Sequence, residues 1–246
     1  MTRRIRLDIA YEGTSFAGWQ RQKNGLSVQQ VIEESLAKIT QEKVTLAGAG
    51  RTDSGVHAEG QIAHTIIHSP MPLPLLQKAL NATLPETILI RSLRKVPDSF
   101  HARFGAKSKW YRYTIWNSNI RPLAERQRVR WVYQRLDLRA MRQAARMLQG
   151  RHDFKPFQSA GSRDVGSTTR NLFQLTIRKN GTILWIDAKA DGFLYHMVRR
   201  ISGLLIEIGK GKLPPEEARK ILRGRSKFIV PSAPAQGLCL MRVSYR

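Results

Sequence analysis

The run Gly48 to Gly60, GAGRTDSGVHAEG, holds the side chains best suited to chemistry. Asp53 stands between Gly50 and Gly55, with Arg51 before it and His57 after it. Glycines permit tight turns and a close approach by a ligand. A carboxylate placed between them, on a loop at the end of a strand, meets a substrate with little steric hindrance. Ionised, it can act as a nucleophile or a general base. A Gly-Asp turn with Arg51 as its surface partner accounts for the same residues. Residue type and spacing alone leave these two readings even.

Other chemistries are poorly served. No Gly-x-x-x-x-Gly-Lys-Ser/Thr run occurs, which argues against a P-loop NTPase. Gly48 and Gly50 lack the rest of a dinucleotide-binding fingerprint. His64 and His68 are four apart, but they fall in or just after a strand-like stretch. That spacing converges on a metal from a helix and not from a strand. Cys239 is the only cysteine, so neither an internal disulfide nor a multi-cysteine zinc site can form. No metal site is expected.

The elements that must position Asp53 follow from periodicity. Ile5, Leu7, Ile9 and Tyr11 alternate with polar residues and predict a strand. Ser27 opens a helix, with Gln30 completing a capping box, and Val28, Val31, Ile32, Leu36 and Ile39 recur at helical spacing. A strand over Val44–Ala47 leads into the glycine-rich run, and Gln61–Ile67 resumes strand character. A turn at Met71–Leu75 enters a short helix through Leu80, and Ile88–Val96 reads as a further strand. The first half is therefore β-α-β-β-α-β.

The second half starts near Lys107. Trp110 to Trp116 alternates as a strand, with Tyr111 and Tyr113 on one face and Arg112 on the other. Asp137 caps a helix through Gln149, stopped by Gly150. This helix carries an apolar stripe of Leu138, Met141, Ala145 and Leu148 beside a basic stripe of Arg139, Arg142 and Arg146. Leu172–Arg178 and Thr182–Ala190 flank Asn180-Gly181, a hairpin signal. Leu194, Met197, Val198, Ile201, Leu205 and Ile208 mark a helix ended by Gly209. Another begins at Pro214-Pro215, and Leu238–Val243 closes as a strand. Gly161–Thr169, with Arg163 and Arg170 nearby, is either an RNA-contacting segment or a solvated loop. The two halves, 1–106 and 107–246, predict an α+β protein of two related lobes, although no residue-level repeat joins them.

Charge names the class of partner. Forty-two Lys+Arg against eighteen Asp+Glu leave a formal net charge of +24, a field that attracts polyanions. Nucleic acid is the expected ligand. No long apolar run follows the charged N-terminus, so neither a signal peptide nor a membrane span is expected, and a soluble cytoplasmic protein is.

Gly50-Arg51-Thr52-Asp53-Ser54-Gly55-Val56-His57 resembles the G-R-T-D-x-G-V-H signature of the TruA family of tRNA pseudouridine synthases. Seven further motifs fall in that family's order. They are Gly18-Trp19-Gln20-Arg21-Gln22, Asn81-Ala82-Thr83-Leu84-Pro85, Phe100-His101-Ala102-Arg103-Phe104, Tyr111-Arg112-Tyr113, His152-Asp153-Phe154, His196-Met197-Val198-Arg199 and Gly237-Leu238-Cys239-Leu240. Departures are modest: Ser54 where Ala is usual, Asp191-Gly192 before Phe193, and Lys155-Pro156 after His152-Asp153-Phe154.

The resemblance implies a pseudouridine synthase fold: mixed, mainly antiparallel sheets flanked by helices, with a central basic active-site cleft. It implies conversion of uridine to pseudouridine in the tRNA anticodon stem-loop, at positions 38, 39 and 40. That isomerisation is redox-neutral, so no nicotinamide, flavin or ATP cofactor is expected. By resemblance Asp53 is the catalytic carboxylate, Tyr111 lies against the target uracil, and Arg199 pairs with Asp53 and favours its ionised form. Leu238 and Leu240 line the pocket. Arg51 occupies the space left by the flipped base or holds phosphate. Arg21, Arg103, Lys107, Lys109, Arg139, Arg142 and Arg146 are candidates for backbone contacts. The family is a homodimer, which implies a tRNA crossing both protomers. A noncatalytic RNA-binding or ribosome-assembly protein fits the charge as well, but leaves Asp53 in a basic glycine loop without a purpose.

Overall fold

A computed structural model describes residues 2–161 and 166–245. Arg163, and with it the centre of the Gly161–Thr169 segment, lies outside the described residues. The chain divides into two compact units, Met1–Lys107 with Cys239–Arg246, and Ser108–Leu238. The linear division into 1–106 and 107–246 therefore differs at its end, because the final strand returns to the first unit.

The first unit follows the expected order: β1 (Arg3–Tyr11), α1 (Val28–Thr40), β2 (Ala47–Gly48), β3 (His57–Ile67), α2 (Leu73–Thr83) and β4 (Ile88–Lys95). β1 lies between β4 and β3 and is antiparallel to both, and β2 pairs with β3. The alternation in β1 sends Ile5, Leu7, Ile9 and Tyr11 into the core, where α1 adds Val28, Ile32 and Leu36. Each such side chain contributes roughly 1.5–3 kcal/mol through burial.

Two local expectations change. The Ser27 side chain accepts from the Gln30 amide at 3.3 Å, but the Gln30 side chain donates to Glu34 at 2.9 Å. Only the Ser27 half of the capping box is therefore seen. The strand expected over Val44–Ala47 shrinks to Ala47–Gly48. Its Leu46 backbone is claimed by α1 instead: the amide donates to Glu33 at 2.8 Å and the carbonyl accepts from Gln29 at 3.0 Å. Both helix side chains are buried, so these bonds satisfy groups that would otherwise lack water.

The second unit holds β5 (Ser108–Asn117), β6 (Arg130–Val132), α3 (Leu138–Leu148), β7 (Gly150–Asp153), β8 (Thr169–Asn180), β9 (Ile183–Ala190), α4 (Met197–Gly209) and α5 (Glu217–Leu222). Its strands run in the order β5-β9-β8-β7, all antiparallel, with β6 parallel to β5. Tyr111, Tyr113 and Ile115 are buried on one face of β5. On the other face Arg112 and Trp110 donate to the buried Asp187 at 2.8 and 2.9 Å. Asp137 caps α3 by accepting from the Arg139 and Ala140 amides. The β8–β9 hairpin turns at Gly181, whose φ of 55° is left-handed. The helix expected from Leu194 starts at Met197, because His196 adopts φ 61° and interrupts it. The last strand, β10 (Leu238–Ser244), joins β3 in parallel, with Leu240 opposite Ala58. The architecture is α+β with mixed, mainly antiparallel sheets.

Candidate active site

The loop between β2 and β3 carries Asp53, and it is held along its length. The Ala49 amide donates to the Ile62 carbonyl at 2.7 Å, and Gln61 Nε2 donates to the Gly50 carbonyl at 2.8 Å. The Thr52 carbonyl accepts from the Trp19 amide at 3.1 Å, while the Thr52 hydroxyl lies 2.7 Å from the Tyr11 hydroxyl in the core. Burial raises the Tyr11 pKa, so its hydroxyl stays protonated. Beyond Asp53 the Ser54 hydroxyl donates to the Phe16 carbonyl at 3.2 Å, and the Val56 amide donates back to the Asp53 carbonyl at 3.1 Å. The Gly13 amide donates to His57 Nδ1 at 3.2 Å. His57 is buried at the first position of β3, so its ring serves the packing of the loop.

Residues 13–19 thus form a brace against the loop. Gly18 has φ 93°, and a Cβ there would sit 2.6 Å from the Thr52 carbonyl oxygen. No other residue type permits that approach. Trp19, 1% exposed, packs its indole against Gly48. Thr52 is buried while Asp53 is half-buried and Arg51 exposed. The brace therefore fixes the backbone on either side of a carboxylate that still reaches solvent. Arg51 Nε donates to Gln20 at 3.3 Å, and Gln20 donates in turn to Gln29 at 2.7 Å.

In the second unit Tyr111 is buried on β5, with the Phe193 ring edge-on at 5.2 Å and 88°. Arg199 lies in the first turn of α4. Its Nε donates to the Ala233 carbonyl at 2.8 Å, and the Ala233 amide donates to the Arg199 carbonyl at 3.0 Å. The Tyr113 hydroxyl donates to the Pro234 carbonyl at 2.9 Å, and Gly237 lies against the Tyr113 ring. Residues 233–237 are thereby tied to both α4 and β5. Tyr111, Arg199 and the buried Leu238 hang on this one scaffold.

The chain matches the tRNA pseudouridine synthase family over residues 9–105 and 144–246. It belongs to that family. A tRNA pseudouridine synthase A of Syntrophotalea carbinolica is 48% identical over 98% of this chain and 96% of its own length. Proteins of the same name from Moorella thermoacetica and Citrifermentans bemidjiense are 44% and 42% identical, over 98% and 99% of this chain and 99% and 98% of their own lengths. Family membership favours the enzyme over the noncatalytic RNA-binding alternative.

The basic candidates for contacts of this synthase with RNA fall into different settings. Arg103, Lys107, Arg139, Arg142 and Arg146 are exposed, and Lys109 is half-buried on β5. Arg142 also donates to the Ile177 carbonyl at 3.2 Å. Arg21 pairs with Glu33 and Glu34, each at 3.3 Å. Leu240 is fully buried in β10. Residues that sequence reasoning missed are Tyr11, Phe16 and Gln61, which hold the Asp53 loop. Gly18 and Trp19 were visible as a motif, but their packing role was not. Among the described residues no helix is long and apolar enough to cross a membrane.

Proposed function

We propose that this synthase converts uridine to pseudouridine in the tRNA anticodon stem-loop, at positions 38, 39 and 40. The observation that carries the reading is an intact G-R-T-D-x-G-V-H segment, braced so that Asp53 alone offers a carboxylate from it, in a member of this family. The reaction breaks the bond between N1 and C1′, turns the uracil, and joins C1′ to C5. The proton on C5 departs and N1 gains one, so atoms and electrons balance without a redox cofactor. Asp53 serves as nucleophile or base beside the sugar.

The resemblance of Tyr111-Arg112-Tyr113 and His196-Met197-Val198-Arg199 to family motifs supports two further roles. Tyr111 offers its ring to the target uracil. Arg199 is the cation that the motif resemblance pairs with Asp53. The target base leaves its stack to be reached, as bases modified in a duplex must. Arg51 either fills the vacated space or holds a phosphate. The homodimer implied by the family would let one tRNA cross both protomers in the cytoplasm.

Asp53→Asn tests the proposal. Pseudouridine formation in a tRNA transcript should disappear while tRNA affinity and melting temperature stay near those of the wild type. Activity above about a hundredth of wild type would remove Asp53 from the nucleophile or base role, since such groups usually supply more. Pseudouridine mapped only outside positions 38–40 would reject the assigned target.

A further inference from the structure

The segment after β4 carries a second arrangement of rings and cations. Residues Phe100 to Gly105 close into a turn around His101. The amides of Arg103 and Phe104 both donate to His101 Nδ1 at 3.2 Å, and the Gly105 amide donates to the His101 carbonyl at 2.9 Å. Below the turn Ala102 is fully buried. Its amide donates to His64 Nδ1 at 3.2 Å, and its carbonyl accepts the Tyr245 hydroxyl at 2.7 Å. Side chains from β3 and from just beyond β10 thus clamp the base of the turn.

At the tip stands Phe104, 77% exposed. The His101 ring lies against it, with centroids 4.3 Å apart at 33°, and the Arg103 guanidinium sits 5.7 Å from its centroid. The ring is therefore held in a defined place while most of its surface meets water. Folding does not explain this, because an exposed phenylalanine forgoes the burial that stabilises a core. Arg103 and Lys107, both exposed, flank it in sequence. A fixed ring beside cations suits an unpaired nucleobase: the ring stacks and the cation meets the adjoining phosphate. The two exposed cations beside the ring, Arg103 and Lys107, likewise favour a polyanion at this patch.

We propose that Phe104 is a stacking platform for an unpaired base of the RNA substrate, with His101 positioning its ring and Arg103 meeting the neighbouring phosphate. The proposal rests on the tRNA reading above.

The test uses the full chain and an unmodified tRNA transcript with uridine at position 39. Phe104→Ala and Phe104→Leu should each weaken binding about tenfold, and Phe104→Trp should retain wild-type affinity. The dependence of affinity on salt should keep its slope in all three, because a ring releases no counterions. Wild-type affinity in the Leu variant would overturn the proposal, as would a shallower salt slope. A lowered melting temperature in all three variants would assign the ring to the fold. A changed sedimentation coefficient would assign it to contact between protein copies; either result overturns the stacking role. If the wild type itself makes no pseudouridine in the transcript, the substrate reading fails and this proposal with it. An active wild type beside an unaffected Leu variant removes the stacking role alone.

Discussion

Replacing Gly18 with alanine perturbs the position of Asp53 without touching its chemistry. Two costs add. At φ 93° an L-residue is in the left-handed region, which costs roughly 1–2 kcal/mol. The new Cβ would lie 2.6 Å from the Thr52 carbonyl oxygen, so brace and loop must separate by several tenths of an ångström to reach ordinary contact. That separation also stretches the bond from the Trp19 amide to the Thr52 carbonyl, now 3.1 Å, which is worth about 1 kcal/mol. The expected loss of stability is about 2–3 kcal/mol. With Asp53 in its proposed role, catalysis should suffer more than binding, because a shift approaching 1 Å in a reacting group can cost about a hundredfold in rate. The assay is single-turnover release of tritium from tRNA labelled at uridine C5, since C5 loses its hydrogen when it bonds to C1′. We expect a rate ten- to a hundredfold below wild type, with tRNA affinity within about threefold. Gly211→Ala is the control: its φ is also positive, at 75°, but nothing lies within 4 Å of the added carbon. It should lower stability by about 1 kcal/mol and leave the rate alone. A wild-type rate and melting temperature in Gly18→Ala would refute the bracing argument.

Asp187→Asn should lower stability at neutral pH by about 2 kcal/mol, less than a fully enclosed pair because Arg178, one of its partners, has a 58% exposed side chain. Burial pushes the Asp187 pKa up, but hydrogen bonds from Arg112, Arg178 and Trp110 outweigh it and hold the carboxyl below its ordinary range. Its stabilisation is thus present above the unfolded pKa of about 3.9 and lost as pH falls through the lower folded value, so denaturation curves of variant and wild type should converge at acid pH. A constant gap down to about pH 2 would exclude this carboxylate as the cause. Tyr111→Phe should bind tRNA normally and lose single-turnover activity if the hydroxyl transfers a proton; if stacking alone matters, it should remain active while Tyr111→Ala is poor. Full activity and affinity in both variants would make Tyr111 a core residue only.

The legible part of this protein was short-range or motif-bound. Alternation in Ile5–Tyr11 and Trp110–Trp116 determined which side chains face the core, because a strand repeats every two residues whatever packs on it. Asp137 at its cap and the turn at Gly181 likewise act within a few residues. The glycine-rich run singled out Asp53 as the residue to watch, since a carboxylate among glycines is conspicuous without any fold. Tertiary structure decided the rest. Leu46 left its expected strand because Glu33 and Gln29 satisfy its backbone, and no local pattern announces a partner on another element. His57 belongs to β3 through pairing with β10, which returns from the far end of the chain. The brace on Asp53 joins Tyr11, Phe16 and Gly18 to residues more than thirty positions away. Such contacts depend on how two segments meet in space, and local sequence periodicity carries no record of that meeting.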